Sequence, residues 1–263
     1  MLKLENLQLT FEKGTIGEKK ALKGLNLSLD KGDFVTIVGS NGAGKSTLFN
    51  AIGGRYRLDE GSVCLDGVDL TGLPEHTRAR DIGVLKQDPL KGTAPTLTIE
   101  ENLALAYGRR SKGGIFATNR KDLKYYRELL SSLDLGLEDR MKTPVGKLSG
   151  GQRQAVTLLM CTIASPKLLL LDEHTAALDP VNARKIIAIT QRIVSQKSIT
   201  TLMITHDIQM ALTVGNRTIM MDDGRVILDI AGDERENMTM EKLLESYRAK
   251  SSRRLIDDRM LLS

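Results

Sequence analysis

The chain reads as an α/β protein: a parallel-sheet core, a strand-rich N-terminal part and a helical segment inserted into the core. Phe34-Val35-Thr36-Ile37-Val38 and Leu168-Leu169-Leu170-Leu171 are short unbroken apolar runs, as strands covered on both faces require. The first 30 residues instead alternate apolar and polar, the pattern of strands with one wet face. From about Asp88 to Pro166 the apolar residues recur at helical spacing.

In chain order, alternating strands are expected near Leu2 to Thr10 and Leu22 to Leu29, separated by the polar, glycine-containing stretch Lys13 to Lys20. Phe34 to Val38 is the first buried strand and Ser46 to Ile52 the helix that follows it. Gly61 to Gly67 reads as a short strand ending in a turn and Ile82 to Leu85 as another, so the sheet is expected to be mixed. Helices are expected over Ile99 to Tyr107, Leu123 to Leu133 and Gln152 to Ala164, the first two joined by the basic, glycine-rich link Arg109 to Gly114. Strands return at Leu168 to Leu171 and Thr201 to Thr205, with the helix Pro180 to Ser195 as a right-handed crossover between them. The charged tail is helical around Met240 to Lys250, with Arg253 and Arg254 beyond.

A chain of 263 residues can bury a substantial core. Two cysteines, Cys64 and Cys161, are too few and too far apart for a disulfide scaffold or a zinc site, which points to a reducing cytosol. No apolar run is long enough to cross a bilayer, and the start of the chain is a strand pattern rather than a signal peptide. A net charge of +5 with acidic residues interspersed reads as a mixed solvated surface. With 3% aromatics and no tryptophan, there is no stacking platform for bases, and no nucleic-acid partner is expected.

The most specific chemistry lies in Gly39-Ser40-Asn41-Gly42-Ala43-Gly44-Lys45-Ser46, which has the spacing of a loop that wraps nucleotide phosphates. The glycines let backbone N–H groups point at an anion, and Thr47 continues into the helix whose positive end faces it. Lys45 brings a point charge to the outer phosphates, and Ser46 brings a hydroxyl to Mg2+. The nucleotide expected there is ATP or GTP.

Asp172 and Glu173 end the leucine strand. Asp172 is placed to hold Mg2+, directly or through water, and Glu173 to act as general base toward the attacking water. His206 follows the apolar run Thr201 to Thr205 and is either a γ-phosphate sensor or a structural histidine. Open parallel sheets bind ligands at the carboxyl ends of their strands, so Lys45, Glu173 and His206 are expected at one rim. Gln87, just past Ile82 to Leu85, offers an amide to the Mg2+ shell, and Phe11 is either an adenine-stacking ring or a core side chain.

Leu148-Ser149-Gly150-Gly151-Gln152, opening an apolar helix, is the signature of ATP-binding-cassette ATPases, and the chain resembles that family over nearly all of residues 1–230. The resemblance implies a RecA-like P-loop NTPase core with an N-terminal antiparallel β subdomain and a helical subdomain inserted at about 89–165. Residues 231–263 then form a charged, helical tail. It makes Lys45 and Ser46 the Walker A lysine and Mg2+ ligand, Gln87 the Q-loop, and Asp172 and Glu173 the Walker B pair. Ala177-Leu178-Asp179 becomes the D-loop and His206 the switch histidine.

In such a family Ser149 and Gly151 of one subunit close on the γ-phosphate held by Lys45 of another, so a head-to-tail dimer trapping two ATP is implied. Two positions depart from the commonest pattern: His174 replaces a proline, and Phe11 stands where tyrosine usually stacks on the base. The expected function is the ATP-hydrolysing motor of a bacterial importer. It would be peripheral to the cytoplasmic face of the membrane, with a separate permease and an extracytoplasmic substrate-binding protein as partners. The wording from Asp172 to Pro180 is similar to a subgroup associated with lipoprotein partners and aromatic amino-acid import. A soluble cassette ATPase acting in cofactor assembly or another non-transport process is the alternative; Gln87 and Leu148 are 61 positions apart, which leaves no room for the long coiled-coil insertion that would mark a DNA-repair cassette.

Overall fold

The computed structural model describes residues 1–108 and 120–250. The link Arg109 to Gly114 and the pair Arg253 and Arg254 lie outside the described residues. The chain begins with β1 (Leu2–Phe11), β2 (Lys19–Leu29) and β3 (Phe34–Gly39), then α1 (Lys45–Gly53), β4 (Glu60–Leu65), β5 (Val68–Asp69) and α2 (Glu75–Arg78). It continues through β6 (Ile82–Leu85), α3 (Ile99–Tyr107), α4 (Arg120–Ser131), α5 (Gly150–Thr162), β7 (Leu168–Asp172) and α6 (Pro180–Lys197). Last come β8 (Thr200–Ile204), α7 (Ile208–Thr213), β9 (Arg217–Asp222), β10 (Arg225–Ala231), α8 (Gly232–Glu236) and α9 (Met240–Lys250). These elements fall into two compact units, Met1–Arg78 with Thr200–Ser263, and Ala79–Ile199.

In the first unit the strands fall into two sheets, the antiparallel N-terminal one that the resemblance implies and a mixed one. One is antiparallel in the order β2-β1-β4-β5; in the other, β8, β3 and β9 are parallel and β10 is an antiparallel edge. β1 buries Leu2, Leu4, Leu7 and Leu9, so its inward face slips by one residue after Leu4. A bulge at Asn6, with φ of 50°, absorbs the extra residue and restores the inward face. β2 starts three residues earlier than its alternation suggests, because Thr10 and Phe11 pair with Lys20 and Lys19 and extend the hairpin. β3 is buried at all six positions.

α1 is closed at its C-terminal end by a buried arginine. Arg78 Nη1 donates to the carbonyls of Ala51 and Ile52, Nε to Leu73 and Nη2 to Thr71. These acceptors include helix-end carbonyls with no partner inside the helix.

In the second unit β6 and β7 are parallel neighbours, and Leu168 to Leu171 are fully buried. Buried Asn102 of α3 holds the preceding loop, exchanging hydrogen bonds with the backbone of Ala94 and donating to Leu97 and Thr98. α4 spans Arg120–Ser131; Leu133 remains buried in the turn after it, where Asp134 and Gly136 adopt positive φ and end the helical path. The strands β9 and β10 and the helices α2, α7 and α8 have no counterpart in the sequence reading.

Candidate functional site

The first unit carries the glycine-rich loop between β3 and α1. Gly39 has φ of 151°, and a Cβ there would collide with the carbonyl oxygen of Met221 on the neighbouring strand. Gly44, at the N-cap of α1, has φ of 99°, and its Cβ would lie 2.7 Å from the carbonyl oxygen of Ala21. Neither position accepts a side chain, which is why the loop can present its backbone to a ligand.

Lys45 is only 7% exposed and lies under the loop, its Nζ donating to the carbonyls of Gly39 at 2.6 Å and Ser40 at 3.1 Å. Asn41, Gly42 and Ser46 are exposed, and Ala43 is buried. The turn between β9 and β10 braces the loop from behind: Gly224 N–H donates to Ala43 and Lys23 N–H to Gly224. Backbone cradle, buried ammonium and exposed hydroxyl are the donor set a magnesium-bound triphosphate needs.

Strand register places further residues at the same edge. Ile37 pairs with Ile204 in the parallel β3 and β8, so the loop from Gly39 and the exposed His206 both leave the carboxyl ends of adjacent strands. Phe11 ends β1 opposite Lys19, and its ring meets Tyr56 edge-on with centroids 5.3 Å apart. Lys19, which the sequence reading passed over, brings its Nζ to 3.8 Å from where a Cβ on Gly42 would sit. Only the pairing of β1 with β2 brings that cation to the loop.

In the second unit Leu85 pairs with Leu171, so exposed Gln87 and the half-buried carboxylates Asp172 and Glu173 all lie just past the carboxyl ends of the adjacent parallel strands β6 and β7. Glu173 has φ of 47°, in the left-handed region that costs a non-glycine residue about 1–3 kcal/mol and clusters at functional sites. His174, next along, turns inward: it is 2% exposed and its Nε2 lies 3.3 Å from Thr190 Oγ1. Thr190 already donates to the carbonyl of Ile186, so the histidine nitrogen is the donor of this pair. Burial lowers the pKa of His174 to about 4, keeping the ring neutral.

The 148–152 segment opens α5 with a capping box. Gln152 N–H donates to Ser149 Oγ, and Ser149 N–H to Gln152 Oε1, both at 3.3 Å. Arg153 pins the approach, donating to the carbonyls of Gly146 and Leu148. Asp179 caps α6, accepting from the backbone of Val181 and Asn182 and, at 2.6 Å, from the Asn182 side-chain amide. Those bonds, led by the Asn182 amide, hold its pKa below the ordinary carboxylate value. A Cβ on Gly151 would lie 3.4 Å from Asn182, so the start of α5 and the cap of α6 are in direct contact.

Fold and loop together define a P-loop NTPase: a RecA-like core with an N-terminal antiparallel β sheet and an inserted α-helical subdomain. The family model described as ABC transporter matches residues 22–176, and the chain belongs to that family as an ATP-binding cassette subunit. It is 42% identical to a tyrosine transport ATP-binding protein of Clostridioides difficile, over 94% of this chain and 98% of that protein. It is 36% identical to the methionine import ATP-binding protein MetN of Rhizobium johnstonii over 85% of this chain, and spans 60% of that longer relative.

Among solved structures, the dimeric post-hydrolysis state of the ATP-binding cassette MJ0796 bound to ADP and Pi superposes with a TM-score of 0.76. That match has 31% identity and covers 88% of this chain and 98% of that one. Membership implies ATP-hydrolysing activity and binding of ATP with Mg2+. Among the described residues no helix is long and apolar enough to cross a membrane.

Proposed function

We propose that this chain is the ATP-hydrolysing motor of an ABC importer for a small solute, with tyrosine or a related aromatic amino acid as cargo. The cassette would occupy residues 1–230, its helical subdomain about 89–165, and the tail 231–263. The carrying observation is the 42% identity, over nearly the full length of both chains, to a tyrosine transport ATP-binding protein. The motor acts from the cytoplasmic face on a separate permease, supplied by an extracytoplasmic substrate-binding protein.

In this reading the backbone from Gly39 to Thr47 and the Lys45 ammonium hold the phosphates, and Phe11, braced edge-on by Tyr56, stacks on the adenine. Ser46, Gln87 and Asp172 would be the protein ligands of Mg2+, which when bound would offset the charge that builds on the transferred phosphoryl group. Glu173 takes the proton of the attacking water, and His206 contacts the γ-phosphate. Ser149, Gly150, Gly151 and Gln152 present a second helix N-terminus, which serves the nucleotide of a second subunit, with Asp179 at the junction.

A homodimer follows because the chain carries one set of motifs. The test is a pull-down from solubilised membranes using the Glu173→Gln variant held in ATP. Recovery of a multi-span permease is the expected result, and retention of soluble proteins alone would refute the transport reading.

A further inference from the structure

The tail helix α9 reaches the phosphate loop through a buried carboxylate. Tyr247 is 5% exposed and Asp222, the last residue of β9, is 2% exposed. The Tyr247 hydroxyl donates to Asp222 Oδ1 at 3.4 Å, and Ser40 Oγ, in the glycine-rich loop, donates to the same oxygen at 3.4 Å. One carboxylate oxygen therefore receives a hydroxyl from the loop and another from the C-terminal helix.

The apolar contacts follow the same path. Leu243 and Tyr247 share a buried cluster with Val38, the residue before Gly39, and with Ile208 and Ala211 of α7, the helix that starts two residues after His206. Met221, beside Asp222, is the residue whose carbonyl fixes Gly39 as glycine. α9 thus packs beneath the strand end that launches the loop, and at one point it also touches the loop's polar support.

We propose that Tyr247 is a positioning residue for nucleotide binding: it holds the Asp222 carboxylate in the orientation that fixes Ser40, and the tail thereby sets the shape of the phosphate loop. The inference rests on the reading of residues 39–47 as the nucleotide site. Removing the tyrosine hydroxyl leaves the ring in its apolar pocket but takes one donor from the Asp222 oxygen that Ser40 also uses, and so loosens its orientation. The loop then spends part of its time outside its binding shape, and apparent affinity falls by the fraction lost. Effects of this kind act on KM rather than on the chemical step.

The experiment is a titration of the full-length chain with Mg-ATP, with KM and kcat measured alongside, for Tyr247→Phe, Ser40→Ala, the double variant and Lys45→Ala. Tyr247→Phe is expected to weaken ATP binding about threefold with kcat nearly unchanged, a loss of the size of one modest hydrogen bond. In the Ser40→Ala background the same change should do nothing further, since coupled residues are non-additive. A purely structural tyrosine would lower the melting temperature and leave KM alone. Unchanged affinity in Tyr247→Phe, or additive effects with Ser40→Ala, would overturn the proposal while the loss of binding in Lys45→Ala leaves the nucleotide site standing. Unchanged binding in Lys45→Ala would overturn both.

Discussion

His174 donates through Nε2 to Thr190 from a fully enclosed position, one residue after Glu173. Its pKa is lowered to about 4 by burial, against 6.5 in an exposed chain. Above pH 6.5 the ring is neutral whether folded or unfolded. As pH falls from 6.5 toward 4, the unfolded chain takes up a proton that the folded chain refuses, so stability is lost across that window. The expected loss from this group between pH 7.5 and pH 5 is about 2 kcal/mol. Urea unfolding of wild type and His174→Gln at both pH values checks it: the variant, whose amide can still donate to Thr190, should lose about 2 kcal/mol less.

Glu173 sits in left-handed backbone at the end of β7. Glu173→Gln keeps size and conformation but cannot accept a proton, so turnover should drop at least about 100-fold while ATP affinity is retained. Phosphate release and nucleotide titration on the same preparation give both numbers, and near-normal turnover would remove Glu173 from the role of base.

Arg78 terminates α1 with donations to four carbonyls. Arg78→Ala removes the guanidinium donor from the buried carbonyls of Ala51 and Ile52 and should cost about 2–4 kcal/mol; Arg78→Lys should recover little, because an ammonium lacks the planar fork. Denaturant unfolding of the three proteins measures the difference. Gly54→Ala should also destabilise, since Gly54 has φ of 83° and a Cβ would come within 2.8 Å of Arg78 Nε.

Phe11 meets Tyr56 edge-on at the end of β1. Phe11→Ala should weaken ATP and ADP binding by a similar factor, about fivefold to tenfold, because stacking on the base is indifferent to phosphate number; Phe11→Tyr should bind normally. Equal affinity in Phe11→Ala would return the ring to a packing role alone.

Much of this architecture is legible from periodicity. β3, β7, α3 and α9 emerge where unbroken apolar runs or helical spacing place them, because each is long or uniform enough for a single period to dominate. β9 and β10 carried a usable signal that the sequence reading missed: Asp223-Gly224, with φ of 45° and 77°, is the two-residue turn that joins twisted strands. β5, two residues long after the similar turn at Asp66-Gly67, has too few residues to show a period.

The motif residues stand out in the sequence because their chemistry fixes spacing along the chain. Their supports were not. Lys19 reaches Gly42 through strand pairing, Arg78 finds Ala51 from 27 residues away, and Asp222 joins Ser40 to Tyr247 across 182 and 25 residues. His174, a departure from the family's proline in the sequence, gains its partner only where α6 places Thr190 against it.

ATP-driven pairing of two copies tests the motor reading most directly. Light scattering on Glu173→Gln should show the 28.9 kDa chain roughly doubling in mass when Mg-ATP is added. Ser149→Arg in the same background should bind ATP and stay single, because the added side chain blocks the face that α5 presents to its partner. A Glu173→Gln protein that binds ATP yet remains at 28.9 kDa, or a Ser149→Arg protein that still doubles, would contradict the head-to-tail cassette.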